Sequence, residues 1–311
     1  MSANICRLIQ ICCCLLAFSA CQQEPSEIKE YIFLGHPYQW GDSVRVDERL
    51  EKLDFSLYDQ VWLGGDVSSK TTLKASTIDY IDSLFDLGSD RLQWTLGNHD
   101  VMYGNLHLIT ERTGRNTFYT TYFDNICLLV LNTNLFYMMP WGTPPQENCE
   151  EKQAQLDLIK TVTDTVKEAK NLIILHHFGL LNELKKDRKG QLMEVFNANL
   201  NHIRTTCDST SDFTKNVYPW LEKVQKRGVQ VSLIGGDFGM KAKEFVYKTK
   251  EGIYLVGSGI NNSVNPEHAP EYVTNFDPDK VLIVKNNPNS GKLEWHYEVL
   301  NELVEKHQAI E

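Results

Sequence analysis

Cysteine is scarce beyond residue 21, no basic run offsets the acidic balance, and no second long apolar stretch follows the first 20 residues. Each absence excludes something. With 41 acidic against 31 basic residues the net charge is −10, which argues against electrostatic docking onto nucleic acid or an anionic membrane face. An anionic small molecule stays acceptable as a substrate if a local positive charge, such as a metal ion, receives it. The missing apolar stretch excludes a transmembrane anchor in the body of the chain. Hydrophobic residues at 42% and charged residues at 23% are the ordinary globular balance, so disorder, collagen and coiled coil are excluded. There is no internal repeat, and 311 residues suffice for a domain with a sizeable core.

What is present begins at the N-terminus. Cys6, Cys12, Cys13, Cys14 and Cys21 crowd the start, and only Cys127, Cys149 and Cys207 follow. Arg7 precedes the apolar run 8–18, which is short for a bilayer span, and Ser19-Ala20 lead into Cys21. This is the plan of a signal peptide. Phe18-Ser19-Ala20-Cys21 resembles the lipobox of bacterial lipoproteins, whose Cys becomes the lipidated first residue, with Phe where Leu is usual. The resemblance implies a signal peptide over 1–20 and a polar tether over 21–30, followed by one domain over 31–311. The protein is then exported and membrane-anchored through lipid on Cys21, facing periplasm or cell exterior. Export permits disulfides. Cys149 and Cys207 lie in polar segments and could pair, although spacing alone does not fix connectivity. Cys127 lies in the apolar run 126–131 and is expected as a packed thiol.

Short apolar runs recur, each ending in Gly, Asn, Asp or His. The run 31–34 ends at Gly35-His36, 60–63 at Gly64-Gly65-Asp66, and 92–96 at Gly97-Asn98-His99-Asp100. The run 172–175 ends at His176-His177, and 229–234 at Gly235-Gly236-Asp237. Runs of this length rich in β-branched and aromatic residues read as buried strands. Helical periodicity appears over 76–87, 151–169 and 218–227. A hairpin is expected over 116–122 and 125–133, and three or four more strands over 245–299. Strands alternating with helices predict an α/β fold, in which chemistry gathers at the carboxyl ends of the strands.

His, Asp and Asn at those ends are ligands suited to Zn, Mn or Fe and not to a thiolate site. Two such ions can activate water and neutralise a phosphoryl group. The succession Gly-His, Gly-Gly-Asp, Gly-Asn-His-Asp, His-His, Gly-Gly-Asp, over about 31–299, resembles the calcineurin-like metallophosphoesterase family. The resemblance implies two mixed β-sheets packed face to face with helices outside, and a two-metal site at one edge. It implies Asp66 as the bridging carboxylate, Asn98 and His176 as ligands of the second metal, and His36 as a ligand of the first. It further implies His99 as the general acid, oriented by Asp100.

Two motifs depart from the family. Leu34-Gly35-His36 stands where Asp-x-His is usual, and Gly236-Asp237-Phe238-Gly239 where Gly-His-x-His is usual. Both losses fall on the first metal, since Asp237 can replace a second-metal histidine whereas Gly239 ligates nothing. The expectation is one divalent ion on Asp66, Asn98, His176 and Asp237, with two possible. His177 is expected to point to the opposite face if its strand continues. His107, His202, His268, His296 and His307 are expected at the surface, and Phe136, Tyr137 and Trp141 are candidates for a cleft wall. The function implied is a metal-dependent hydrolase of a small-molecule, lipid or sugar phosphoester. The alternative is an inactive protein of the same fold that serves binding or assembly in the cell envelope.

Overall fold

The computed structural model describes residues 27–41, 44–137, 146–181, 185–186, 192–193, 203–238, 242–260, 265–269 and 275–309. Cys21, Trp141, His202 and Gly239 lie outside them. Strands β1 (Lys29–Leu34), β2 (Gln60–Leu63) and β3 (Leu92–Trp94) are parallel neighbours. Strands β4 (Tyr119–Phe123) and β5 (Ile126–Val130) form the expected hairpin, and β6 (Asn171–His176) follows β5 in parallel. Two short strands, β7 (Lys185–Lys186) and β8 (Leu192–Met193), pair with each other. The remainder are β9 (Gln230–Gly235), β10 (Glu244–Lys248), β11 (Tyr254–Ser258), β12 (Lys280–Asn287) and β13 (Lys292–Val299).

The longer strands make two mixed sheets, ordered β13-β12-β1-β2-β3 and β10-β11-β9-β6-β5-β4. Side-chain alternation along each strand explains the layering. Tyr31 and Phe33 of β1, with Trp62 of β2, face Ile126, Leu128, Val130, Ile173 and Leu175 of the other sheet. The intervening residues point outward. Ile32 and Leu34 pack with α1 (Ala75–Phe85), α3 (His107–Thr113) and α7 (Leu300–Gln308). Leu129, Leu172 and Ile174 pack with α4 (Gln146–Thr165), α5 (Phe213–Asn216) and α6 (Tyr218–Lys226). The fold is therefore the expected pair of face-to-face mixed sheets with helices outside. One short helix, α2 (Asn98–Val101), follows β3. Among the described residues no helix is long and apolar enough to cross a membrane.

One expectation needs correction. Helix α7 was not foreseen, and its His307 is buried instead of exposed: Nδ1 accepts from the Asp54 amide at 3.0 Å, and Nε2 meets the Tyr58 hydroxyl at 3.2 Å. Its spacing with Leu300, Leu303 and Val304 is that of one helical face. Leu34, where the family motif carries a carboxylate, is a fully buried core residue.

Cys149 and Cys207 form a disulfide across a separation of 58 residues, and Cys127 is a buried free thiol. Closing a loop of that length restricts the unfolded chain by about 4 kcal/mol in the chain-entropy model. Replacing both cysteines with serine is expected to cost about 2–4 kcal/mol, read as a lower urea midpoint at similar slope. An unchanged midpoint would mean that the bridge contributes nothing.

Candidate functional site at the converging strand ends

The two sheets come into backbone contact where β2 and β9 end. A Cβ on Gly236 would overlap the Gly64 carbonyl, and one on Gly64 would stand 2.9 Å from the Gly236 Cα. Only glycine permits backbone to meet backbone in this way. The pinch brings the loop after β2, with Asp66, against the loop after β6, with His177.

Asp66 is 1% exposed. Its Oδ2 lies 3.3 Å from His36 Nε2 and 3.4 Å from His177 Nε2, and its Oδ1 accepts from the His99 amide at 2.7 Å. Asp66 and His36 both adopt a φ of 54°, a left-handed conformation that side chains other than glycine rarely take and that clusters at functional sites. The His36 and His177 rings are parallel with centroids 6.3 Å apart, and Tyr38 packs between His36 and His99, at 4.5 Å and 5.0 Å.

Backbone carbonyls set the histidine tautomers. His177 Nδ1 donates to the Gly64 carbonyl at 2.8 Å, His176 Nδ1 to Phe178 at 2.8 Å, and His99 Nδ1 to Ser69 at 3.0 Å. Each is left with Nε2 as its free nitrogen, the arrangement typical of metal-ligating and proton-transferring imidazoles. The electrostatics separate the two neighbours. Burial opposes charge on His177, but the Asp66 carboxylate, with Asp237 assisting, pushes it up to about 9. Burial pulls His176 down to about 4. Burial alone would raise Asp66; the two histidines outweigh it and hold the carboxyl well below its usual range.

The structure thus unites Asp66, His36 and His177, and not His176. The reason is that β6 ends at His176, so the alternation that would have turned His177 away does not continue. His176 instead lies beside Gly235. Asp237 is adjacent, its amide donating to the His177 carbonyl at 3.1 Å. Asn98 and His99, both half-buried, open α2. Of the aromatic loop, Phe136 is core and Tyr137 stacks on Phe178 at 4.6 Å.

Asp100 also departs from expectation. Its carboxylate does not hold the His99 ring, a task left to the Ser69 carbonyl. It accepts from the amides of Asp66 and Gly97 at 2.8 Å, from the amide of Val67 at 3.0 Å, and from the Thr71 hydroxyl at 2.6 Å. Adjacent residues of a helical turn face different directions, so Asp100 points into the Gly-Gly-Asp loop while His99 points out. Burial and the Asp66 charge push its carboxyl up, against the pull of those donors.

Among the described residues no group of three or more His, Cys, Asp or Glu forms a ready-made metal cage. The donor chemistry nevertheless suits a divalent ion. His177 Nε2 is buried without a hydrogen bond of normal geometry and faces the Asp66 carboxylate, as does His36 Nε2, and a buried polar atom so placed leaves room for a missing group. The separations from Asp66 also match two ligands sharing one tetrahedral ion, about 3.3 Å for bonds near 2.0–2.1 Å.

No family model matches the chain, and no curated protein does. Among solved structures it is similar to one described as "GAP50 the anchor in the inner membrane complex of Plasmodium", with a TM-score of 0.50 and 12% identity over 91% of this chain and 94% of that one. At that identity the likeness is one of fold.

Asp100→Ala leaves four close donors unanswered and is expected to destabilise by about 3 kcal/mol or more. His99→Ala, half-buried, should cost under about 1 kcal/mol. Equal losses in chemical denaturation would contradict this division of roles.

Proposed function

We propose that the chain is an exported, lipid-anchored phosphoester hydrolase of the metallophosphoesterase type, working with one divalent transition metal. The observation that carries this reading is His177 Nε2: buried, facing the Asp66 carboxylate at 3.4 Å without a hydrogen bond of normal geometry, with its other nitrogen fixed by the Gly64 carbonyl. Asp66, His177, Asn98 and Asp237 would hold the ion, with His177 taking the place first given to His176, and His36 flanking it. Mn, Zn or Fe would supply Lewis acidity and a nucleophilic water there. His99, steadied at Nδ1 by Ser69, presents Nε2 for protonating the leaving oxygen. The Cys149–Cys207 disulfide supports export, since such bridges persist in oxidising compartments. A small-molecule, lipid or sugar phosphoester suits the acidic surface; nucleic acid does not.

A second reading is a binding or assembly protein of the cell envelope. Leu34, buried where the family carries a metal carboxylate, favours it, and the GAP50 structure is itself titled an anchor.

Elemental analysis of protein purified without chelator separates the two. The hydrolase reading expects about one equivalent of metal, lost in Asp66→Ala and His177→Ala and kept in His176→Ala. Hydrolysis should vanish in Asp66→Ala and fall in kcat, at unchanged metal content, in His99→Ala. Absence of metal after reconstitution with Mn or Zn would favour the assembly reading.

The pH dependence has a definite sign. In the metal-free protein His177 is raised to about 9, so its pairing with Asp66 stabilises fully below about 6.5 and is lost as pH rises through about 9. Metal must displace that proton. Affinity should therefore rise about ten-fold per pH unit up to about 9, by titration between pH 6.5 and 8.5. A flat profile would remove His177 from the ligand set.

A further inference from the structure

Away from Asp66, two cations, Lys152 and Arg204, lie within electrostatic reach of each other, and no carboxylate among the described residues is seen against Lys152. Lys152 lies in the second turn of α4 and is 1% exposed. Burial, and then the Arg204 guanidinium, pull its ammonium down to about 8. Arg204 is half-buried, with Nη1 donating to the Ile203 carbonyl at 3.0 Å. The disulfide ties the two segments together. Cys149 precedes Lys152 by three residues, hence on the same helical face, and Cys207 follows Arg204 by three.

Like charges in a poorly polarisable interior repel, and a buried ammonium without a partner is costly. A covalent clamp that ties the segments carrying two such groups makes physical sense if an anion completes them. The pair also lies at the functional end of its sheet. Gln155, three residues after Lys152, clamps Asn132 just beyond β5, accepting from its amide at 2.7 Å and donating to its carbonyl at 3.2 Å. The Arg204 amide donates to the Phe136 carbonyl at 2.7 Å. Tyr137 follows Phe136 and stacks on Phe178, the neighbour of His177. Thr205, next to Arg204, is fully buried with an unpaired hydroxyl.

We propose that Lys152 and Arg204, clamped by the Cys149–Cys207 disulfide, form a subsite for a phosphate-class anion that receives a second anionic group of the substrate. The assignment to substrate rests on the hydrolase reading; the anion subsite does not. The substrate class is then a phosphoester bearing a further phosphate or carboxylate, in which a bidentate guanidinium and a desolvated ammonium recognise the distal group.

Calorimetric titration with inorganic phosphate, in chelator, tests the subsite without any metal. Wild type and Lys152→Arg should bind; Lys152→Met and Arg204→Gln should bind at least ten-fold more weakly, and reducing the disulfide should weaken binding likewise. Lys152→Met removes an unpaired charge, so its melting temperature in phosphate-free buffer should equal or exceed that of wild type, which separates loss of binding from misfolding. Phosphate binding that survives in Lys152→Met overturns the subsite, as does binding lost in Asp66→Asn alone, which would place the anion at the Asp66 cluster. Hydrolysis of a sugar bisphosphate and the matching monophosphate tests the substrate assignment. Lys152→Met should raise KM about ten-fold more for the first than for the second; an equal effect on both overturns it.

Discussion

Backbone touching backbone at Gly64 and Gly236 is the constraint from which the site follows. Two sheets packed through Phe33, Trp62 and Leu175 would ordinarily stand about 10 Å apart. At this end they close until no side chain fits between them. The loop after β2 must then turn sharply, and Asp66 adopts the left-handed conformation that its sequel requires. In that conformation its carboxylate faces His177 of the opposite sheet and His36 of its own. Neither sheet could build the cluster alone.

Two buried carboxylates stabilise this junction by different means. Asp100 is met by fixed amides and a threonine hydroxyl, donors that no change of pH removes. Asp66 is met by one amide and two imidazoles. Imidazoles gain and lose protons within the accessible range and bind metals when neutral. Charge compensation at Asp66 is therefore exchangeable, between proton and cation, while that at Asp100 is permanent. A buried anion needs one or the other, because leaving it uncompensated is far more costly than any surface ion pair. The first carboxylate shapes the loop, and the second joins the two sheets through His36 and His177.

Much of this was legible in the residues, for a physical reason. Runs such as 31–34 and 172–175, buried on both faces, carry little but apolar side chains, and the Gly, Asp and His that end them mark the close approach and the cluster together. The sheets, the hairpin and the proximity of Asp66 and His36 followed. What failed depended on direction. Choosing between His176 and His177 requires knowing where a strand stops, and alternation carries no information past its last residue. Pairing His99 with Asp100 assumed that sequence neighbours face each other, which a helical turn forbids. The face of α7 that buries His307 was written in its spacing with Leu300, Leu303 and Val304, but a histidine among lysine and glutamates reads as surface until Tyr58 and the Asp54 amide are seen to meet it.

Charge placement completes the account. The chain is acidic overall, and its functional end adds Asp66, Asp100 and Asp237. A phosphoester approaching that end meets repulsion unless cations are placed there, since the field of the whole molecule works against it. Surface lysines would be screened and mobile, and each would lose side-chain entropy on binding. Lys152 and Arg204 avoid both costs. One is closed to water and the other half-buried, and the segments that carry them are joined by a disulfide. Pre-organisation lowers the entropy that binding must overcome. In the proposed subsite an acidic protein would hold an anion through a few desolvated cations instead of a basic face, with the disulfide fixing the segments that carry them.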